Sequence, residues 1–202
     1  MTLTTKKKDT ILVTGGAGNI GYSICEKYAK KKCNIIIVDK YPDKIDSVAN
    51  ELVKKFNVNV LPLEVDLINE KIFIELHNEV KKWNNGLDYI VNNAAYYDQK
   101  KGYIEDFENE AYKVWINVMK VNLIAPFFII QSLLPILKNS KNPSIVNISS
   151  IMGVVAPTLD LYENSEMKNP NPGSYSASKG GLIQLTKWMS ISLAPKIRVN
   201  CI

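Results

Sequence analysis

Ile35-Ile36-Ile37-Val38 is a block with no polar side. A strand apolar on both faces has to be covered on both, as in the parallel sheet of an α/β protein and unlike a half-exposed antiparallel one. Similar short runs recur at Thr10–Thr14, Asn34–Asp39, Asn57–Leu63, Leu87–Asn92, Ser144–Ser149 and Ile197–Cys201. Between them lie helical patterns at Ile20–Lys31, Asp43–Phe56, Ile68–Trp83, Ala111–Leu137 and Tyr175–Leu193. Such alternation predicts right-handed βαβ crossovers and a Rossmann-like, doubly wound parallel sheet with helices on both faces, a three-layer α/β/α fold. With neither an internal repeat nor a linker, residues 1–202 are expected to form a single domain.

Composition removes several function classes. Net charge is +5, but Arg198 is the only arginine and the lysines are scattered, so no basic stripe interleaved with aromatics marks a nucleic-acid surface. Lys6-Lys7-Lys8 reads as a solvated tail. Cys25, Cys33 and Cys201 form no CxxC pair, and their odd number argues against a disulfide framework. His77, the single histidine, reads as a surface residue without metal-ligand companions, so no metal site is expected. The longest apolar run, Leu123–Leu137, is interrupted by Pro126, Gln131 and Pro135 and reads as a buried helix rather than a membrane span. The N-terminus is polar, without a signal peptide, and a cytoplasmic protein is expected.

Thr14-Gly15-Gly16-Ala17-Gly18-Asn19-Ile20-Gly21 follows the first strand and opens the first helix. Glycines there let the backbone turn tightly and approach a pyrophosphate, while the helix N-terminus offers unpaired N–H groups to it. The required strand and helix flank this cluster, so a dinucleotide site is expected at Gly15, Ala17, Gly18, Asn19, Ile20 and Gly21. Asp39 ends the second strand 18 residues after Gly21. A carboxylate there accepts from ribose hydroxyls and repels a 2′-phosphate, which favours NAD over NADP. Lys40 beside it partly offsets that repulsion.

Tyr175-Ser176-Ala177-Ser178-Lys179 places a phenol and an ammonium four residues apart on one helix face. A neighbouring positive charge favours the phenolate, the state needed to take a proton from an alcohol as a hydride leaves. Gly153–Gly173 is a long loop at the carboxyl end of the fifth strand, where open α/β sheets bind ligands.

Taken in order, Gly15/Gly18/Gly21, Asp39, Asp66, Asn92-Asn93-Ala94-Ala95, Asn122, Ser150 and Tyr175/Lys179 resemble the motifs of the short-chain dehydrogenase/reductase family over nearly the whole chain. The resemblance implies one NAD(P)-binding Rossmann domain. Asp66 and Leu67 would contact adenine, and Asn93, Ala94 and Ala95 would line the ribose side. Tyr175 would be the acid/base, with Ser150 bonding the reacting oxygen. Lys179 would assist the tyrosine and hold the nicotinamide ribose, so Tyr175 and Lys179 also count as cofactor-binding. Asn122 would support the fourth helix and a water leading protons from Lys179. Ser149 competes with Ser150, and only the register of the family motif selects the latter.

Four departures stand out. Asn19 occupies a glycine place, so the turn reads TGxxGxxG, as in sugar-nucleotide enzymes. Ala95 replaces the glycine of NNAG. The loop before Tyr175 is long, and the chain ends at Ile202, where the family would continue with a substrate-covering segment and a last strand; a C-terminally truncated member is expected. The leading expectation is an NAD(P)-dependent alcohol/ketone oxidoreductase. Asp160, Tyr162, Glu163, Asn164, Asn169 and Asn171 in the long loop suggest a polyol or sugar derivative as substrate. The alternatives are a sugar-nucleotide epimerase or dehydratase with tightly bound NAD, and a catalytically impaired nucleotide-binding protein. Small residues Ser176, Ala177, Gly180 and Gly181, with a second apolar face at Ile183, Trp188 and Ile191, suggest a homodimer or homotetramer paired through the fourth and last helices.

Overall fold

In a computed structural model, the residues described are 8–83, 86–96, 110–156, 158 and 172–202. The polar loop residues Asp160, Tyr162, Glu163, Asn164, Asn169 and Asn171, with Lys6 and Lys7, lie outside them. Six parallel strands, β1 (Thr10–Thr14), β2 (Asn34–Asp39), β3 (Val60–Glu64), β4 (Tyr89–Asn92), β5 (Ser144–Asn147) and β6 (Arg198–Cys201), form one sheet in the order β3-β2-β1-β4-β5-β6. Helices α1 (Asn19–Lys30), α2 (Pro42–Phe56), α3 (Ile72–Trp83), α4 (Tyr112–Met119), α5 (Ala125–Leu137) and α6 (Gly173–Leu193) cover it. This is the Rossmann-like three-layer fold that the apolar blocks require.

The blocks divide by alternation. Ile11, Val13, Ile35 and Ile37 pack with Cys25, Ile45 and Leu52 of α1 and α2. Leu12, Ile36 and Val38 face the other way, toward Leu76 of α3, Ile129 of α5 and Met189 of α6. β1 and β2 are thus buried on both sides, and removing a side chain such as Ile36, fully buried, would cost about 2–5 kcal/mol.

Three of the departures from the expected element ends have a clear physical reason. The third strand starts at Val60 rather than Asn57, because Asn57 closes α2 in the left-handed region (φ 51°), a place that asparagine tolerates. The fifth leaves the sheet after Asn147, and Ile151–Gly153 form a 3₁₀ turn capped by Ser150. The expected helix Ala111–Leu137 is not continuous: a π turn, Lys120–Ile124, separates α4 from α5. Pro126 has no N–H to give the Asn122 carbonyl, and the Asn122 side chain is drawn to another segment, so the helical ladder widens there.

By length and composition Tyr112–Leu137 could cross a membrane. Here its residues Val118, Ala125, Ile129, Leu133 and Leu137 are fully buried in the core. His77 is corrected as well: it is half-buried, and its Nδ1 lies 2.6 Å from the Ser132 carbonyl of α5.

Candidate active site

The strand order reverses between β1 and β4, and the ends of these strands open a cleft of about 810 Å³. Its lining unites residues from four separate stretches of the sequence: the turn Gly15–Gly21, Asp39, Asp66 with Leu67, and Asn93 to Ala95. All twelve positions expected to hold a dinucleotide, apart from Tyr175 and Lys179, meet in this one cleft.

The turn is set by contacts between backbones. Gly15 has φ +62°, and a Cβ on it would stand 3.0 Å from the Ala94 Cα. At Gly21 a Cβ would lie 2.0 Å from the Gly15 carbonyl oxygen, a collision that no rotamer relieves. Gly18 is different: its Cβ would meet only the Gly15 oxygen, at 3.3 Å. The fold therefore has little need of glycine at 18, which stands exposed on the cleft as the N-cap of α1 without a side-chain cap. An open cradle at an uncapped helix N-terminus suits a phosphate. The residues fit a dinucleotide on this ground.

Asp39 anchors the turn from β2. Its Oδ2 accepts the Ala17 N–H at 3.1 Å and its Oδ1 the Lys40 N–H at 2.7 Å. Above it lies a collar that the sequence did not announce: Lys40 Nζ stands 5.0 Å from the Tyr41 ring centre and 5.7 Å from that of Tyr96, and Lys44 Nζ is 5.0 Å from Tyr41. Asp66 is exposed, and its Oδ1 accepts the Ile68 N–H at 3.1 Å, so it closes a local turn beside buried Leu67. Asn93 turns inward: its Nδ2 donates to the Thr14 and Gly15 carbonyls at 3.0 and 3.2 Å, while Thr14 Oγ1 accepts the N–H groups of Asn93 and Ala94. These bonds lock the end of β4 to the end of β1.

Ser150, Tyr175 and Lys179 stand outside the lining of the cleft, around the carboxyl end of β5. Lys179 is 2% exposed, donates to the Ile148 carbonyl at 2.7 Å and lies 5.6 Å from the Tyr175 ring centre. Burial pulls its ammonium down to about 8, with the nearby Cys201 acting in the opposite direction. The two serines differ in their bonds. Ser149 is buried and donates to the Lys179 carbonyl at 2.9 Å. Ser150 accepts the Met152 N–H at 3.2 Å, which leaves its own proton to give.

Asn122 is fully buried in the π turn. Its Oδ1 accepts the Tyr96 N–H at 2.7 Å, and its Nδ2 donates to the Tyr96 carbonyl and Ser178 Oγ, both at 3.2 Å. The side chain thus clamps the segment after β4 and reaches α6. Two glycines expected at an intersubunit contact are used within the chain instead: Gly180 packs on Gly153, and a Cβ on Gly181 would press Leu123 at 3.0 Å. Among the described residues no group of His, Cys, Asp and Glu side chains is arranged to hold a metal ion.

Comparison with known proteins agrees with this fold. Residues 9–202 match the family model described as short chain dehydrogenase. A 3-oxoacyl-[acyl-carrier-protein] reductase, FabG of Aquifex aeolicus, is 31% identical over 192 residues, covering 95% of this chain and 71% of its own length. A solved NAD+-bound xylitol dehydrogenase superposes with a TM-score of 0.81 at 25% identity, covering 98% of this chain and 70% of that one. L-sorbose reductase from Gluconobacter frateurii, solved with NADPH and L-sorbose, shares the fold with a TM-score of 0.82 at 24% identity, over 96% of this chain and 68% of that one.

Proposed function

The chain belongs to the short-chain dehydrogenase family, and from that premise we propose that it interconverts an alcohol and a ketone by hydride transfer with a nicotinamide dinucleotide. The observation that carries the proposal is the buried Lys179 ammonium beside the Tyr175 ring at the carboxyl end of β5, next to β4, whose end opens the cleft. The turn Gly15–Gly21 would hold the pyrophosphate, Asp39 would face the adenosine ribose, Asp66 and Leu67 the adenine, and Asn93, Ala94 and Ala95 the ribose side. When bound, the nicotinamide supplies the hydride acceptor or donor.

In the oxidative direction Tyr175, as phenolate, takes the hydroxyl proton of the substrate. Lys179, buried with its ammonium 5.6 Å from the Tyr175 ring centre, is the cation placed to assist it. Ser150 donates to the same oxygen as it becomes a carbonyl, and Ser149 keeps the Lys179 backbone in place. Asn122 holds the segment after β4 against α6, a positioning task its three bonds support better than a direct part in proton transfer.

We read the cofactor as NAD rather than NADP, on the carboxylate of Asp39; Lys40 and Lys44 on Tyr41 act the other way. A polyol or sugar derivative is our substrate class, on the polar side chains of the loop before Tyr175. The glycine at 18, in a TGxxGxxG turn, favours a second reading, a sugar-nucleotide epimerase or dehydratase that recycles tightly bound NAD. We further propose one domain over the whole chain, a soluble cytoplasmic protein, and self-association through the face where Trp188 and Ile191 are 56% and 79% exposed.

The test is NADH accumulation in solution when the purified chain meets NAD+ and secondary alcohols or polyols, with cyclopentanol and xylitol as first probes. Steady accumulation supports net oxidation. Copurifying NAD that is never released as NADH would support the recycling enzyme instead.

A further inference from the structure

Helix α6 begins without a cap of its own. Pro172, its N-cap, makes no side-chain bond to the helix, and the N–H groups of Tyr175 and Ser176 turn back to the Pro172 carbonyl at 3.0 and 3.3 Å. The Gly173 N–H is satisfied from far away in sequence. It donates to Glu110 Oε1 at 2.6 Å, across 63 positions. Both carboxylate oxygens are close to this first turn, since a Cβ on Gly173 would meet each of them at 3.6 Å and the Trp115 ring at 3.5 Å. Glu110 also immediately precedes Ala111, the N-cap of α4, which likewise makes no side-chain capping bond. One carboxylate therefore stands where two helices begin, a location favoured by their partial positive charge.

A second tie lies one turn further along α6. Ser178 Oγ donates to the Tyr175 carbonyl at 2.7 Å and accepts from Asn122 Nδ2 at 3.2 Å. Tyr175 is thus held from both sides by the α4 segment and the π turn that continues it: two residues upstream through Glu110, and at its own carbonyl through Ser178.

We propose that Glu110 is a positioning residue for Tyr175, its carboxylate fixing the first turn of α6 and so the place of the phenol beside Lys179. The proposal rests on Tyr175 being the acid/base. Glu110 touches neither substrate nor cofactor in this role. A charge-assisted bond to a backbone N–H is roughly twice as strong as a neutral one, which suits a carboxylate to the task. Proton transfer is sensitive to such placement, because a displacement of about 1 Å can cost on the order of 100-fold in rate.

Glu110→Ala, Glu110→Gln and Glu110→Asp in the whole chain, alongside Tyr175→Phe, test this. Amide exchange over residues 173–176, NADH affinity by fluorescence, and kcat and KM with NAD+ and cyclopentanol or xylitol are the measurements. In Glu110→Ala, exchange at residues 173–176 rises by roughly 10-fold, as for loss of a helix cap, while the first strand and helix exchange as before. Its kcat falls by roughly 10- to 100-fold, with KM and NADH affinity within about twofold. Glu110→Gln recovers most of both, because an acceptor oxygen remains. Glu110→Asp, with a shorter reach, falls between them and decides the matter if the alanine variant does not fold. Unchanged exchange overturns the clamp. Faster exchange with wild-type kcat makes Glu110 a helix cap and nothing more, which overturns the positioning role. Failure of the Tyr175 assignment appears separately, as wild-type turnover in Tyr175→Phe or as no turnover of any probe, and the exchange data still decide the clamp.

Discussion

Replacing Lys179 with methionine separates the energetic cost of the site from its chemistry. Lys179 is 2% exposed, its ammonium donates to the Ile148 carbonyl, and burial lowers its titration from 10.5 to about 8. Between those values the unfolded chain binds a proton that the folded chain does not, so folding stability rises with pH across the window. The contribution is fully present above 10.5 and is lost as pH falls to about 8. At ~1.36 kcal/mol per pKa unit the window is worth about 3 kcal/mol. Lys179→Met abolishes this dependence while retaining most of the side-chain volume. It also strands the Ile148 carbonyl, at a cost of about 1–3 kcal/mol, so net stability near neutral pH changes little. The assay is urea unfolding of both proteins at a series of pH values. The difference in stability between wild type and variant should then grow by about 3 kcal/mol in favour of wild type as pH rises from about 8 to 10.5. A flat difference would refute the buried-ammonium account.

Other outcomes follow from the same geometry. Gly21→Ala should destabilise the chain by about 1–3 kcal/mol or more in thermal unfolding, because its Cβ meets the Gly15 oxygen at 2.0 Å. Gly18→Ala, which meets that oxygen only at 3.3 Å, should keep the melting temperature and lose NADH affinity in a fluorescence titration; unchanged affinity would remove the phosphate cradle. Asp39→Ser should reduce any NADH preference over NADPH, whereas Lys40→Glu should weaken NADPH selectively, and equal effects on both cofactors would contradict the assignment. Trp188→Glu should lower the mass seen by light scattering without loss of fold, since Trp188 is 56% exposed.

Much of this arrangement was legible in the sequence because it depends on local pattern. The all-apolar strand blocks demanded a sheet covered on both faces, and the glycine turn between β1 and α1 located the cleft. What escaped depends on partners distant in the chain. Nothing local to Asn122 reveals that its amide bonds Tyr96, so the sequence pattern across the π turn is that of plain helix. His77 looked exposed because its partner, the Ser132 carbonyl, lies 55 positions away. The lysine–tyrosine collar needs Tyr96 from the end of β4 to meet Lys40 from the end of β2, and Glu110 carries no motif at all. Only the family register separates Ser150 from Ser149 in the sequence, because the bond that sets Ser149 apart reaches the Lys179 carbonyl 30 positions away.

The central claim is that Tyr175 transfers the proton while the cleft binds the dinucleotide independently of it. Tyr175→Phe removes one hydroxyl and is measured twice on the same protein, for NADH affinity by fluorescence and for turnover of NAD+ with the alcohol that the wild type oxidises. The account predicts NADH affinity within about twofold of wild type and turnover lowered by at least ~100-fold, the scale of a lost acid/base. Turnover close to wild type with affinity intact would contradict it, and would place the acid/base on another side chain.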